Sequence, residues 1–354
     1  MLLTVPCALG CVVQRCAAGD RPSRALRLFA RRGLVYDPGA RASSRFVDMA
    51  VLSKHPEETR VVVLSPHMVG RSRLADLRIT DATVSGEHAV LRWTGREWEL
   101  HDLGSRNGTI VGGRKLSPGE RVALFRGVVI AFGQPENAWR LVDDSAPTVI
   151  AVPDDGGEPV CARDDLLALP SEDNPAAVIY RDGSGEWVLE HGGEVARVAD
   201  RSAVHAAGRD FVVRVPDQIA VTQDINSEAP HLAALTLCFS VSRDEEYVAL
   251  TARGDRHVID LGARAHHSVL LMLARSRLED RKARSGSDSS EGWVYQDDLA
   301  GKLAIDETHL NVAVFRCRRQ LAEAGILGAA GIIERRRPTR EVRLGVSRIE
   351  IMTV

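Results

Sequence analysis

The chain has 354 residues, of which 44% are hydrophobic and 27% charged. This is the composition of a folded globular protein with room for two or three domains, and it excludes a disordered or fibrous one. No apolar run approaches the ~18 residues that a membrane-spanning helix needs. The six cysteines form no CxxC pair, so neither a zinc site nor a disulfide framework is indicated, in keeping with a reducing cytoplasm.

The net charge of -2 hides a gradient: +5 over residues 1–48, +3 over 49–140, -14 over 141–261 and +4 over 262–354. Segments with different partners are expected. Residues 1–48 are rich in Arg, Ala and Ser, lack a sustained period and read as a poorly ordered extension. No charge precedes Arg15, which argues against a secretory leader, and Met49 reads as an alternative initiator.

Residues 49–143 alternate short strands with turn chemistry. Strands are expected at Arg60–Leu64, Ala89–Trp93, Trp98–His101, Val128–Phe132 and Trp139–Val142, with a turn at Thr94-Gly95. That pattern predicts a β-sandwich. Three clusters fall in the loops: Gly70-Arg71-Ser72, Ser85-Gly86-Glu87-His88 and Gly104-Ser105-Arg106-Asn107-Gly108-Thr109. A phosphate group needs a cation and short neutral donors on rigid loops. Arg71 supplies a fork of donors, Ser85 a hydroxyl, and Asn107 both a donor and an acceptor for an extended peptide backbone. Gly108 permits the positive φ of a tight Asn-Gly turn.

The GR, SxxH and NGT clusters, at these spacings and with the Asp102-Leu103-Gly104-Ser105 lead-in, resemble the forkhead-associated (FHA) family over about residues 60–142. The resemblance implies an eleven-stranded sandwich that binds phosphothreonine peptides. It further implies that Arg71, Ser85, Arg106 and Asn107 face the peptide, while Gly70, His88, Gly108 and Thr109 support the loops. Gly86 departs from the pattern, because many members carry a polar side chain there that reaches the phosphate; modest affinity is expected.

Residues 144–175, acidic and rich in Pro and Gly, read as a linker. Residues 176–230 read as a small β unit with strands at Ala177–Tyr180, Glu186–Glu190, Glu194–Val198 and Phe211–Val215. Gly185-Glu-Trp187 faintly echoes Gly95-Arg-Glu-Trp98, but no second set of loop clusters accompanies it.

Residues 231–346 begin with strands at Leu235–Ser240, Tyr247–Ala252 and Arg256–Leu261 and then change to a helical period. Helices are expected over 266–283, 296–304 and 307–324, the last with Asp306 as its N-cap and a stop at Gly325. Leu310, Val314, Cys317 and Leu321 form its apolar stripe, with Thr308, Val312, Phe315 and Arg319 opposite. A hairpin from Ile332–Glu334 to Glu341–Leu344 carries an arginine-rich tip, and residues 347–354 read as a tail.

This order resembles the winged-helix DNA-binding domain of the response-regulator class. The resemblance implies that Asn311, Phe315, Arg316 and Arg319 read DNA and that Arg336, Arg337 and Arg340 grip a flanking groove or phosphates. The expected fold class is therefore multidomain and mainly β with an α+β C-terminal part: an FHA β-sandwich, a small β unit and a winged helix-turn-helix. No catalytic signature occurs; His266-His267 and His309 read as surface or capping residues, and no enzyme, cofactor or metal is expected. The implied partners are a phosphothreonine-containing protein, either a Ser/Thr kinase or its substrate, and double-stranded DNA. The alternative is a scaffold whose winged helix docks a protein.

Overall fold

The computed structural model describes residues 35–36, 49–54, 59–182, 184–216, 229–283, 290–336 and 339–354. The chain divides into two units.

Among the described residues the first unit holds 35–36, 49–54, 59–161, 200–205 and 209–216. From Val51 to Asp143 it contains eleven strands, the number that the resemblance implies. One sheet runs, in spatial order, Val35–Tyr36, Arg60–Val62, Val51–Lys54, Ala138–Asp143, Val129–Phe132, Thr109–Val111 and Arg114–Lys115. The other runs Arg121–Leu124, Trp98–Asp102, Ala89–Trp93, His67–Gly70 and Leu77–Arg78. Alternating side chains from both sheets fill the space between them, with Leu52, Val61, Leu91, Trp98, Leu100, Ile130, Phe132 and Leu141 buried together. The Thr94-Gly95 turn forms as expected and pairs Trp93 with Trp98, Gly95 taking a φ of +94°.

The expected linker over 144–175 is instead structured. Ile150–Pro153 pairs with Arg209–Arg214, and Leu166–Ser171 pairs with Asn174–Arg181. Val149, Ile150 and Ala151 are fully buried, while Asp155, Glu172 and Asp173 are exposed. Acidic composition here marks turns between short strands rather than an unstructured tether. Met49, Val62, Leu64, Ile150 and Val152 form one apolar cluster within this unit.

Among the described residues the second unit holds 162–182, 184–199, 206–208, 229–283, 290–336 and 339–354. Leu166–Ser171, Asn174–Arg181, Trp187–His191 and Glu194–Arg197 form an antiparallel four-stranded meander. A second sheet runs Val258–Ala263, Val248–Arg253, Thr236–Val241 and Ile349–Thr353. The last of these pairs in parallel with Thr236–Val241, so the expected tail over 347–354 holds the edge strand Ile349–Thr353. The helices are α1 (His267–Ala283), α2 (Gln296–Lys302) and α3 (Glu307–Glu323). Asp306 Oδ1 accepts the His309 N–H at 2.8 Å and caps α3, and Gly325 follows its end with a φ of +74°. Val294–Tyr295, Glu341–Leu344 and Ile333–Arg336 form a three-stranded sheet around the expected hairpin. The apolar stripe Leu310, Val314, Cys317 and Leu321 lies in the core with Leu270, Leu273 and Phe239.

The expected extension over 1–48 lies outside the described residues apart from the strand Val35–Tyr36. No helix of the described residues is long and apolar enough to cross a membrane.

Candidate functional site

The strand His67–Gly70 delivers the chain to a close approach between two loops. A Cβ on Gly70 would stand 2.1 Å from the Gly86 carbonyl oxygen, so only glycine lets the loops meet. Across that approach Arg71 N–H donates to the Ser85 carbonyl at 2.8 Å and Ser72 N–H to the Gly86 carbonyl at 2.9 Å.

His88, fully buried behind the loops, joins the third cluster to the second. Its Nδ1 accepts the Ser85 N–H at 3.1 Å, which leaves Nε2 as the protonated nitrogen that donates to the Gly108 carbonyl at 3.2 Å. Burial holds the imidazole below its ordinary range, against the Gly108 carbonyl and the nearby Asp102 charge, and so favours this neutral form. Gly108 sits at a φ of +83°.

Asp102 organises the turn before Asn107. Its Oδ1 accepts the N–H groups of Gly104 and Ser105, both at 2.9 Å. Its Oδ2 accepts the Ser105 hydroxyl at 2.7 Å and the Thr109 hydroxyl at 2.6 Å. Burial pushes this carboxyl up, but the two hydroxyls and two amides outweigh it and hold the group below the usual carboxylate range.

The polar groups face outward on this frame. Arg71 is exposed and donates from Nε to the Val84 carbonyl at 3.2 Å, which fixes the stem and leaves its terminal amino groups available. Ser85 Oγ accepts the Arg106 N–H at 3.1 Å and keeps its own proton to donate. Asn107 Nδ2 donates to the Thr83 carbonyl at 2.7 Å, which fixes the side-chain amide and keeps its Oδ1 as an acceptor. Arg106 is exposed beside it. Two cations, a hydroxyl and an amide oxygen thus share one rim on braced loops, an arrangement that can hold a dianion on an extended chain.

Residues 67–133 match the family model of the FHA domain. This segment is an FHA domain. Protein phosphatase 2C 70 of Arabidopsis thaliana is 44% identical over 54 residues, 15% of this chain and 9% of that protein. The FHA domain-containing protein FhaB of Mycobacterium tuberculosis is 39% identical over 59 residues, 17% of this chain and 38% of that one. The matched part thus spans well under half of either relative. A solved structure from a study of phosphothreonine-dependent FHA domain interactions is 26% identical, with a TM-score of 0.24, covering 26% of this chain and 93% of that one.

Within the FHA domain, the sequence reasoning named the rim and its supports but missed Asp102 and Thr83 as bracing groups. Thr83 holds Asn107 through a main-chain carbonyl, which no side-chain pattern announces. Asp102 was visible only as part of the lead-in to the NGT cluster.

The residues expected to read DNA are placed differently. Phe315 is 2% exposed and packs against Leu166, Ala168, Val178, Tyr180 and Val188 of the meander. Arg319 is tied to Glu323 at 2.7 Å and to Asp164 at 3.6 Å. Asn311 is half-buried and lines a small pocket with Pro175, Glu190 and Gly193. Only Arg316 of this set is exposed. The correction has a simple cause: the side of α3 opposite the core stripe is covered by a sheet from a distant part of the chain, which helical periodicity cannot reveal.

On the hairpin, Arg336 stacks over Trp293 at 4.2 Å and pairs with Glu341 at 3.3 Å, and Arg340 pairs with Glu307 at 3.0 Å. Arg337 lies outside the described residues. His266 and His267 are not surface groups as expected, for each places Nε2 2.8 Å from Gln320 Oε1, joining the start of α1 to α3. Among the described residues no group of three or more His, Cys, Asp or Glu is placed to hold a metal ion.

Proposed function

We propose that this protein is a non-catalytic signalling component whose FHA domain docks a phosphothreonine-bearing protein, either a Ser/Thr kinase or its substrate. The observation that carries the reading is the rim of Arg71, Ser85, Arg106 and Asn107 on loops that His88 ties together. A phosphate presents three strong acceptors and close to two negative charges, which match the outward donors of Arg71 and Ser85. The Asn107 oxygen suits the main-chain N–H of the same peptide. The test is a titration of the full chain with paired peptides that differ only in phosphorylation of one threonine. Binding of the phosphorylated member alone supports the reading, and equal binding of both refutes it.

We further propose that the C-terminal part is a winged-helix element that binds double-stranded DNA, coupling phosphoprotein docking to promoter occupancy. Its support is the order of a strand sheet, three helices and a basic hairpin, with Arg316 exposed on α3. The burial of Phe315 favours a second reading, in which this part is a protein-docking scaffold element. Retention of DNA fragments by the full chain across a salt series separates the two, because phosphate contacts produce a steep salt dependence.

A further inference from the structure

We infer that the meander of residues 166–197, with the residues just before it, is an internal competitor for double-stranded DNA, covering α3 and the hairpin with carboxylates that engage arginines there. Arg318 and Arg335 are also held from their own side, Arg318 by the Ala330 and Ile333 carbonyls and Arg335 by Gln296. The inference rests on the DNA reading above and supplies its regulation.

Three arginines of α3 and the hairpin, of which Arg319 alone belongs to the set expected to read DNA, have acidic or carbonyl partners between residues 163 and 190. Glu190 bridges two of them: one oxygen accepts from Arg318 Nη2 at 2.9 Å and the other from Arg335 Nη2 at 2.8 Å. The third, Arg319, faces Asp164 at 3.6 Å and donates to the Arg163 carbonyl at 3.3 Å. Tyr180 lies beneath the Arg318 guanidinium at 4.6 Å. A carboxylate engages guanidinium N–H groups as a phosphate does, so each pair removes donors that a DNA backbone would use. Residues 162–199 carry eight acidic and three basic side chains, which makes the cover electrostatically complementary to the arginines beneath it.

The contact is built to separate. Its apolar part is small, with Phe315 and Ala330 set among five side chains of the meander. Its polar part is a buried cluster of two arginines on one carboxylate, an arrangement whose desolvation cost offsets much of its attraction. Arg318 Nη1 and Arg335 Nε are buried without hydrogen-bond partners among the described residues. Opening returns these groups to water or hands them to phosphates, whereas opening a purely apolar contact has no such return. The two arginines outweigh the burial of Glu190 and bring its carboxyl to about 2, so it remains charged at neutral pH. Release therefore comes from a competing anion and not from protonation.

The test uses the full chain and a fluorescent mixed-sequence DNA duplex titrated at several salt concentrations. Glu190→Gln removes the charge that both arginines share and should tighten binding about tenfold over the unaltered protein, within the usual range of such couplings. Adding Arg318→Ala to that variant should abolish the gain. Asp164→Asn is a milder release: Asp164 is exposed with a φ of +49°, a conformation that asparagine tolerates, and a smaller gain is expected. Hydrogen exchange over residues 307–323 reports the opening itself.

Tight and equal binding by the unaltered protein and both single variants overturns the masking while leaving the DNA reading standing. Increased exchange over 307–323 in Glu190→Gln with no DNA binding even at low salt overturns the DNA reading, and the masking with it. If Glu190→Gln does not fold, an absence of gain in Asp164→Asn overturns the proposal.

Discussion

Glu190 accepts a hydrogen bond from Arg318 at 2.9 Å across 128 residues of chain, and both side chains are buried. The pair joins a strand of the meander to the helix that carries the core stripe of the second unit. On the same helix, Phe315 packs into an apolar cluster with side chains of that meander.

Phe315→Ala should destabilise the second unit by about 3 kcal/mol or more, the usual cost of a cavity left by a buried aromatic ring. Arg316→Ala, one residue on and exposed, should change stability by no more than about 0.5 kcal/mol. Chemical denaturation of the two variants measures the contrast. Similar small effects would place Phe315 on a free surface and refute its burial under the meander.

Two glycines one loop apart should behave oppositely. Gly70→Ala forces a Cβ against the Gly86 carbonyl oxygen, a backbone atom that cannot swing aside. Loss of thermal stability and of phosphopeptide binding is expected together. Gly86→Ser adds a side chain into open space, with nothing within 4 Å of its Cβ. Its stability should be unchanged and its phosphopeptide affinity equal or higher, since a hydroxyl is added on the rim. Titration calorimetry and thermal melts of both variants decide the matter.

Arg71→Ala and Asn107→Ala should each abolish detectable capture of a phosphothreonine peptide while the sandwich stays folded. Arg71 is exposed and gives up a single hydrogen bond to the Val84 carbonyl, so its own stability cost should be about 1 kcal/mol. Unchanged peptide binding in both variants would refute the site.

Stability of the first unit should fall as the pH drops below about 6.5, the ordinary histidine value. His67 and His88 are both buried and held below that value, His67 to about 4, chiefly by burial. In this range the unfolded chain takes up protons that the folded protein does not, so unfolding becomes easier. For His67 the loss between pH 6.5 and pH 4 is on the order of 3 kcal/mol. His67→Gln should flatten that part of the denaturation profile, and an unaltered slope would count against the assignment.

Much of the FHA domain was legible in the sequence because its chemistry is local. Gly70, Ser85, His88 and Asn107 lie in or beside short clusters that resemble the FHA pattern, which implies that they meet, and the strands between them are short runs bounded by turn residues. The cap at Asp306 and the core stripe from Leu310 to Leu321 were legible for the same reason, being set within one helix.

What the sequence by itself determined was many of the local elements and the loop clusters that carry the polar groups; the tertiary structure decided which surfaces remained free. An acidic, proline-rich stretch turned out to be strands, because alternating apolar residues such as Ile150 and Leu167 found pairing partners outside the stretch itself. The face of α3 opposite its core stripe looked solvent-facing from its period, yet Phe315 is buried there and Arg318 is buried on its flank. A helical period reports that a residue points away from one core. Whether a second layer meets it depends on long-range burial and charge pairing, and these are energies of the folded chain and not of the segment.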